Sequence, residues 1–386
     1  MNPERIIGSS SNDQLLYFTS SSLTEGDEEV VYISDRTGHP NLFCRHLPSG
    51  ADRQLTANSD GYLKSYVYFD GRPYAGFGKA SVSLDPIRRI AYYLQGTELR
   101  AVSLSGEQHL LARLPEGQMT AFSHVSHDGR RICVPTTDAR ALDNDRPLPA
   151  LRPDYDVDRR IQDEGLASYL HVFDTGTGEE LDCVTVPRAW VTHVQFSPID
   201  SSLILYNHEW PAECGIRRMW IWDGARHIPL RGEDPDASPR PRAREDWTCH
   251  EMWERDGSAV IYHGTYRDGP AYVGRVLADG TGTIEIALPE EWTQYGHFTV
   301  GRPGQLVTDG YYRDGNASPD RCGRWICEAI VDWTRGELAW RPLVTHGSSW
   351  KTQDEHPHPI FAHQPTAVYF TSDRDGRRAI YRIALD

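Results

Sequence analysis

A strand–turn–strand unit recurs along this chain, and the repeat limits the fold more than any other feature of the sequence. In each copy an apolar run is followed by a turn with Asp, Gly or Pro and then by a second apolar run. Helical periodicity is almost absent. The seven copies occupy residues 9–20, 81–94, 122–136, 193–208, 250–264, 297–310 and 358–372. Short strands in seven repeated modules predict an all-β fold, a seven-bladed β-propeller.

The two ends of the sequence resemble each other. The segments "VVYISDRTGHPNLFCRHL" (30–47) and "AVYFTSDRDGRRAIYRIAL" (367–385) are near duplicates, as if the last blade leads into the first. No linker-like segment divides the chain, and the Pro-rich stretch 231–246 is typical of a surface loop. We therefore expect residues 1–386 to form a single propeller domain in which the N- and C-terminal strands share one blade.

Composition restricts the partners and the compartment. The formal net charge of −15 disfavours nucleic acid and anionic membranes as partners. No apolar run approaches the roughly 18 residues of a membrane span, and the N-terminus lacks the pattern of a signal peptide. The seven cysteines are scattered rather than paired in spacing, which favours reduced thiols and a cytoplasmic location.

Histidines recur at one position of the repeat. Ten residues before the apolar residue that opens the second strand, four consecutive copies carry a histidine: His193, His250, His297 and His358. This position is the start of the first strand, which lines the central channel of a propeller. Three residues at or near the ends of second strands are expected at the same mouth: His208, His263 and Asp309. Four histidines in register favour a functional site over isolated structural histidines.

The stretch "WKTQDEHPHPIF" (350–361) adds further candidate ligands. Its prolines predict an extended segment, in which His356 and His358 face the same side and Gln353 leads into them. Asp354 and Glu355 are interpreted as solvated loop acids. Three histidines with a glutamine are typical of a site for a divalent metal, whose identity the residue types leave open. Because such ligands are neutral, the cation would keep its charge and favour an anionic ligand such as a carboxylate.

These motifs resemble those of the oligogalacturonate lyases. The resemblance rests on the C-terminal Gln-x-x-His-x-His, on "YGHF", "CHEMW" and "NHEW…RRMW", and on a tail similar to TolB-type repeats. It implies a cytoplasmic seven-bladed propeller that binds Mn²⁺ and cleaves short pectin fragments by β-elimination. The metal ligands it implies are His297, Gln353, His356 and His358. It also implies His250 as the base and Arg218 as the active-site arginine, with Arg217 adjacent; His208, Arg217 and His193 are expected to bind substrate.

This chemistry suits a small anionic oligosaccharide. The C5 proton of a uronide lies α to the C6 carboxylate, so positive charge on that carboxylate acidifies the proton for a neutral histidine base. His250 is predicted as this base, while Arg218 can bind a carboxylate through two hydrogen bonds. Elimination across C4 and C5 would leave a 4,5-unsaturated uronate.

Other functions remain open at the level of sequence. A lyase acting on glucuronate or on a rhamnose-linked uronate would need the same metal and base. A non-catalytic TolB-like binding propeller is the second alternative, and it predicts no bound metal. A propeller hydrolase is disfavoured because no Gly-x-Ser-x-Gly motif occurs. Trp210, Trp253, Trp292 and Trp350 lie near the same loops, where core packing is favoured over sugar stacking for each.

Overall fold

The structure is a computed structural model, and it describes most of the chain. The described residues are 2–8, 10–59, 80–142, 160–209, 218–231, 246–266, 270–289, 292–294, 296–312, 324–351 and 353–385. Nearly all regular structure in these ranges is β-strand.

Short strands with buried apolar residues begin the chain. They are β1 (Glu4–Ile7), β2 (Asp13–Leu15), β3 (Glu29–Ser34), β4 (Asn41–His46) and β5 (Ala51–Gln54). Strands β2 to β5 pair in chain order as one antiparallel sheet, the arrangement of a propeller blade.

The next part of the chain contains three sheets of the same kind. Its strands are β6 (Val82–Asp85), β7 (Ile90–Gln95), β8 (Glu98–Ser103), β9 (Gln108–Arg113), β10 (Gln118–Thr120), β11 (His124–Val125), β12 (Arg131–Asp138), β13 (Ala167–Asp174), β14 (Glu180–Pro187), β15 (Val194–Phe196), β16 (Ile204–Asn207), β17 (Met219–Trp222) and β18 (His227–Pro229). The sheets are β6–β9, β10–β14 and β15–β18, and a 3₁₀ helix, Ala139–Leu142, follows β12.

The last part of the chain supplies three further sheets. Its strands are β19 (Asp246–Trp253), β20 (Ala259–Tyr266), β21 (Ala271–Leu277), β22 (Ile284–Ala287), β23 (Trp292–Gln294), β24 (Phe298–Val300), β25 (Gln305–Thr308), β26 (Tyr311–Tyr312), β27 (Trp325–Asp332), β28 (Glu337–Thr345), β29 (Ile360–Phe361), β30 (Ala367–Ser372) and β31 (Ala379–Ala384). The sheets are β19–β22, β24–β25–β27–β28 and β29–β30–β31–β1, while β23 pairs with β26. A 3₁₀ helix, Gln353–Glu355, precedes β29.

The predicted all-β fold with seven blades is confirmed. Six of the seven repeat copies coincide with a pair of adjacent strands, as in 81–94 for β6 and β7 or 297–310 for β24 and β25. The copy at 9–20 contains only β2, and the second strand predicted there is wrong, because β3 begins at Glu29. The near-duplicate ends are the equivalent hairpins β3–β4 and β30–β31, which belong to different sheets. Strand β1 pairs antiparallel with β31, Glu4 facing Arg382. That the chain is a single domain stays a prediction.

The chain divides into two compact units. Unit 1 comprises residues 1–54 and 245–386, and unit 2 comprises residues 55–244. In each unit the apolar faces of successive sheets bury one another. One cluster in unit 1 joins Ile261 and Val273 of the sheet β19–β22 to Phe298 and Leu306 of the following sheet. Each such side chain contributes about 1.5–3 kcal/mol through burial, which holds the starts of the first strands in place.

Candidate metal centre

Three histidines of unit 1 converge at the starts of two first strands. His297 directly precedes β24, His358 lies two residues before β29, and His356 follows the 3₁₀ helix. One ring nitrogen of each lies within 4.8 Å of the corresponding nitrogens of the other two. His297 and His358 are buried, whereas His356 is half-buried. The three imidazoles therefore face a common point.

The backbone of this segment differs from the expected extended chain. Residues Gln353–Glu355 form a 3₁₀ turn, because the prolines constrain only residues 356–359 and leave the preceding turn unrestricted. His358 has a left-handed φ of 44°. A non-glycine residue in this region costs about 1–3 kcal/mol, and such residues concentrate at functional sites. The Gln353 side chain lies outside the described residues, so its predicted role as a ligand stays a prediction.

A buried carboxylate supports the histidine cluster. Asp309 follows β25 and is fully buried. Its two oxygens lie 3.2 and 3.3 Å from Nδ1 of His297, and one of them accepts a hydrogen bond of 3.1 Å from the backbone N–H of His358. With Nδ1 of His297 donating to Asp309, Nε2 is the nitrogen available to a metal, the arrangement of a carboxylate–histidine–metal triad.

The electrostatics of Asp309 follow from these neighbours. Burial alone would raise the pKa of its carboxyl, but the charge of His297, its hydrogen bond and the charges of His356 and His346 outweigh burial and lower the pKa below its ordinary value. The Asp309 carboxylate also lies very close to the backbone of Gly296. A Cβ at Gly296 would lie 2.3 Å from an Asp309 oxygen, so only glycine fits there.

The substitution Asp309→Asn should weaken metal binding while leaving the fold intact. The amide keeps an acceptor for the His358 N–H but loses the negative charge behind His297. Loss of an outer-shell partner typically weakens metal binding about 10- to 100-fold, and titration of the metal-free protein with Mn²⁺ would measure it. Asp332→Asn, at an exposed position in the same sheet, is the matched control. Equal Mn²⁺ affinities in the two variants would show that Asp309 does not support the site.

The 3₁₀ turn is held by a buried ion pair. Asp354 lies 2.5 Å from Nη1 of Arg378, and both side chains are about nine-tenths buried. Glu355 lies 3.8 Å from the same nitrogen. The interpretation of Asp354 as a solvated acid is therefore wrong, because an arginine 24 positions downstream, between β30 and β31, packs against the turn. Breaking a buried pair on one side costs about 3–5 kcal/mol, so this contact fixes the segment that carries Gln353 and His356.

His250 lies beside the histidine cluster. Its ring centroid is 4.4 Å from that of His297, and its Nδ1 lies 2.7 Å from Nε2 of His263 on the paired strand. His250 has a left-handed φ of 45°, and the pairing register of β19 shifts between Cys249 and Met252. This β-bulge turns the His250 side chain towards His263 and His297.

Two aromatic rings lie against the histidines: Phe18, which sequence reasoning missed, and Trp350, for which the sequence favours core packing. Phe18 is buried, and its ring centroid lies 5.8 Å from His250, 5.4 Å from His297 and 5.6 Å from His358. Trp350 packs on His356 at 4.2 Å. Trp253 is a core residue, as expected, whereas the side chains of Trp210 and Trp292 lie outside the described residues. Phe18 comes from the first blade, and no local pattern in the sequence connects it to the histidines.

The remaining candidates belong to unit 2. Arg218 precedes β17 and is buried, with Nη1 3.4 Å from Glu209 and Nη2 3.2 Å from Nε2 of His193. Because a guanidinium only donates, Nε2 of His193 accepts. Glu209 also accepts hydrogen bonds from Thr192 and Asn207, so a polar network fixes Arg218. Arg217 lies outside the described residues.

His208 follows β16 and is buried against Trp220, whose ring centroid is 5.5 Å away. Burial, with a smaller contribution from His227, lowers the pKa of His208 to about 3. This histidine is therefore neutral at physiological pH. Its predicted role in substrate binding stays a prediction.

The substitution His208→Gln should make the protein less sensitive to acid. Below pH about 6.5 the unfolded His208 takes up a proton that the folded protein excludes, so wild-type stability falls by up to about 1.4 kcal/mol per pH unit until the folded pKa near 3. The variant lacks this loss. Urea unfolding midpoints at pH 7 and pH 5 would measure the difference, with the exposed His109→Gln as control. The same midpoint shift in wild type and His208→Gln would contradict the prediction.

The histidine cluster fits a divalent cation. Three imidazole nitrogens within 4.8 Å of one another, with a buried carboxylate behind one of them, are the donor set and outer shell that such ions use. A glutamine oxygen would make the set suitable for a harder ion such as Mn²⁺.

Comparison with known proteins supports the resemblance read from the motifs. An oligogalacturonide lyase of Pectobacterium atrosepticum is 26% identical over 222 residues, 54% of this chain and 53% of the relative. An oligogalacturonate lyase of Dickeya dadantii is 26% identical over 221 residues, with the same coverage. The chain thus spans about half the length of the curated relatives it matches. No family model matches the sequence.

A solved structure supports the propeller fold. An oligogalacturonate lyase in complex with manganese superposes with a TM-score of 0.76 at 19% identity, covering 99% of this chain and 92% of that one. Likeness at this identity shows a shared propeller fold. The resemblance to the oligogalacturonate lyases is confirmed by these relatives together. Within the described residues, no helix reaches the length and apolarity that crossing a membrane requires.

Proposed function

We propose that this protein is a metal-dependent lyase that cleaves short uronide oligosaccharides, oligogalacturonate above all, by β-elimination. One observation carries the proposal: a three-histidine cluster with nitrogens within 4.8 Å lies beside a further histidine, His250, at a ring distance of 4.4 Å. A cation-binding group next to a neutral base is the pairing that elimination α to a carboxylate requires. The lyases named above, similar in sequence and fold, support the substrate class.

We propose His297, Gln353, His356 and His358 as the ligands of one Mn²⁺ ion. When bound, the ion supplies positive charge to the C6 carboxylate and so acidifies the C5 proton. Asp309 orients His297 through its Nδ1. The Asp354–Arg378 pair holds the turn that presents Gln353 and His356.

We propose His250 as the base that takes the C5 proton. A histidine base needs one ring nitrogen without a proton. If Nδ1 of His250 donates to Nε2 of His263, at 2.7 Å, then Nε2 of His250 is the accepting atom. The same hydrogen bond strengthens when His250 becomes an imidazolium, because a charged donor bonds more strongly. His263 thereby orients the base.

We propose that Arg218, held by Glu209 and His193, binds a carboxylate of the substrate. His193, His208 and Arg217 are proposed to contribute to binding of the sugar. The substrate is a small anionic oligosaccharide. Because the protein itself has a net charge of −15, the substrate must be attracted by positive charge located at the site. Free cysteines, such as Cys44 and Cys133, are consistent with a cytoplasmic location.

Purified protein mixed with a panel of uronides tests the activity. Oligogalacturonate should give rising ultraviolet absorbance from the conjugated 4,5-unsaturated uronate, and a chelator should abolish it. The panel includes glucuronate- and rhamnose-linked oligosaccharides, so a different preference would reassign the substrate. Absence of product with every uronide, in protein shown to contain metal, would overturn the proposed lyase activity. Absence of both product and bound metal after incubation with Mn²⁺ would favour the TolB-like binding function instead.

A further inference from the structure

A second cluster of metal-binding side chains lies outside the proposed manganese ligands. Cys249, His250 and His263 each offer one donor atom, and these donors lie within 4.8 Å of one another. His263 is fully buried, while Cys249 and His250 are half-buried. The cluster therefore combines one sulfur and two imidazole nitrogens at a place that remains partly accessible.

The backbone explains how neighbouring residues share this point. Successive side chains of a regular strand alternate between faces, so Cys249 and His250 would normally diverge. The left-handed φ of 45° at His250 and the register shift after Cys249 break this alternation. Cys249 is also the direct cross-strand partner of His263, which brings their side chains together on one face.

We propose that Cys249, His250 and His263 form a second metal site, which binds a thiophilic divalent cation such as Zn²⁺. Zinc binds sulfur at about 2.3 Å and nitrogen at about 2.0–2.1 Å. In a tetrahedral site these bond lengths place any two ligand atoms roughly 3.3–3.6 Å apart. The donors, within 4.8 Å, reach this spacing by small side-chain rotations. On binding, the Cys249 thiol releases its proton to solvent, and the proton of His250 shifts from Nδ1 to Nε2. The hydrogen bond between His250 and His263 is then replaced by two metal–nitrogen bonds.

Ligand softness separates this site from the proposed manganese site. The manganese ligands are imidazoles with a glutamine oxygen, whereas the second cluster contains a thiolate, which selects softer ions. Zinc and cadmium are thus expected to prefer Cys249, while manganese is not. The fourth position of a tetrahedral ion would remain open to water.

The other sulfur-containing cluster of the described residues is less suitable. It comprises His171, Glu180 and Cys183 in unit 2. Both ring nitrogens of His171 are already engaged, Nδ1 with Glu180 at 2.6 Å and Nε2 with Gln118 at 2.9 Å. Burial and the nearby charges of Glu180 and Asp182 raise the pKa of the Cys183 thiol, which disfavours a thiolate. Cys183 is therefore the matched control for Cys249.

The site has a consequence for activity that rests on the proposed function. His250 is the proposed base, and with its Nδ1 bound to zinc the neutral imidazole carries its proton on Nε2, the nitrogen proposed to accept the C5 proton. Zinc should therefore inhibit the lyase even when manganese is saturating. The cation would act as an inhibitor at the base rather than as a competitor for the manganese ligands.

Binding is tested without reference to activity. Protein with its manganese site filled is titrated with Co²⁺, whose sulfur-to-metal charge-transfer band reports a thiolate ligand, and Zn²⁺ is then used to displace it. The band should appear in wild type and in Cys183→Ser and be absent in Cys249→Ser and Cys249→Ala. A band that is absent in wild type, or that is lost in Cys183→Ser but kept in Cys249→Ser, would overturn the proposal.

Inhibition is measured in a second experiment at saturating Mn²⁺. Since loss of even an outer-shell partner weakens metal binding about 10- to 100-fold, Cys249→Ser should need at least about ten times more Zn²⁺ for half inhibition than wild type or Cys183→Ser. Equal sensitivity in all three proteins would overturn the inhibitory role. Because the Co²⁺ band needs no substrate, failure of the proposed lyase function and failure of this site give different results.

Discussion

Replacing His356 with alanine should strip the metal from the protein and abolish lyase activity while leaving the fold intact. His356 is half-buried and follows the 3₁₀ turn, so its ring contributes little to the core. Its nitrogen is one of three that lie within 4.8 Å, and removal leaves two imidazoles, one of which, His358, is held in a left-handed conformation. Elemental analysis after dialysis should find less than a tenth of the wild-type metal content, on the order of the loss expected for a missing partner of the site.

The matched control is His363→Ala. His363 lies in the same C-terminal segment, and its Nε2 bonds to the carbonyl of Leu23 rather than to the cluster. This variant should keep both metal and activity, which separates loss of a ligand from loss of a histidine. Undiminished metal in His356→Ala would show that the ion binds elsewhere. Loss of metal in both variants, with a lowered unfolding midpoint, would instead indicate a general disturbance of the segment.

The repeat made most of the fold predictable because each blade needs the same local pattern. The alternation of apolar residues around an Asp, Gly or Pro turn recurs in the first hairpin of six blades, as in β6–β7. The register of His297 and His358 follows from the same periodicity, since equivalent positions in neighbouring blades lie side by side. The repeat alone therefore predicts that these histidines lie close together.

Contacts between distant segments could not be derived from local pattern. Phe18 reaches His250, His297 and His358 from the first blade. Arg378, in the turn between β30 and β31, forms an ion pair with Asp354. Asp354 is therefore buried, although its position in the sequence suggested a solvated loop. Such partners depend on how loops fold over the ends of the sheets, and side-chain periodicity carries no information about them.

Backbone exceptions also escaped the sequence pattern. The left-handed residues His250 and His358 depart from the extended conformation expected at the start of a strand. Histidine adopts positive φ far less readily than glycine does. The sequence around His250 therefore does not predict the β-bulge in β19. Gly296 is a different case, because the residue type itself points to the contact. The backbone of Gly296 lies so close to the Asp309 carboxylate that any larger residue would place a Cβ against it.

Replacing His250 with alanine should lower turnover by about 10²- to 10⁴-fold, the usual contribution of a general base, with manganese content unchanged. His250 lies 4.4 Å from His297 by ring centroid but is not one of the proposed ligands. With Nδ1 donating to His263 at 2.7 Å, Nε2 is the nitrogen proposed to take the C5 proton. Initial rates with oligogalacturonate at saturating Mn²⁺ measure the loss as a fall in kcat, with little change in KM expected.

The substitution His250→Gln separates proton transfer from support of the site. A glutamine amide can replace the hydrogen bond to His263, but it cannot accept a proton at neutral pH. If His250 is the base, His250→Gln and His250→Ala should lose similar amounts of kcat, because the chemical step is missing in both. Recovery of most activity in His250→Gln would assign His250 a positioning role, and near-normal turnover in His250→Ala would place the base elsewhere, with His208 and Arg218 as the next candidates. Since burial lowers the pKa of His208 to about 3, that residue would be a much weaker base than an ordinary histidine, which makes His250 the better fit to the chemistry.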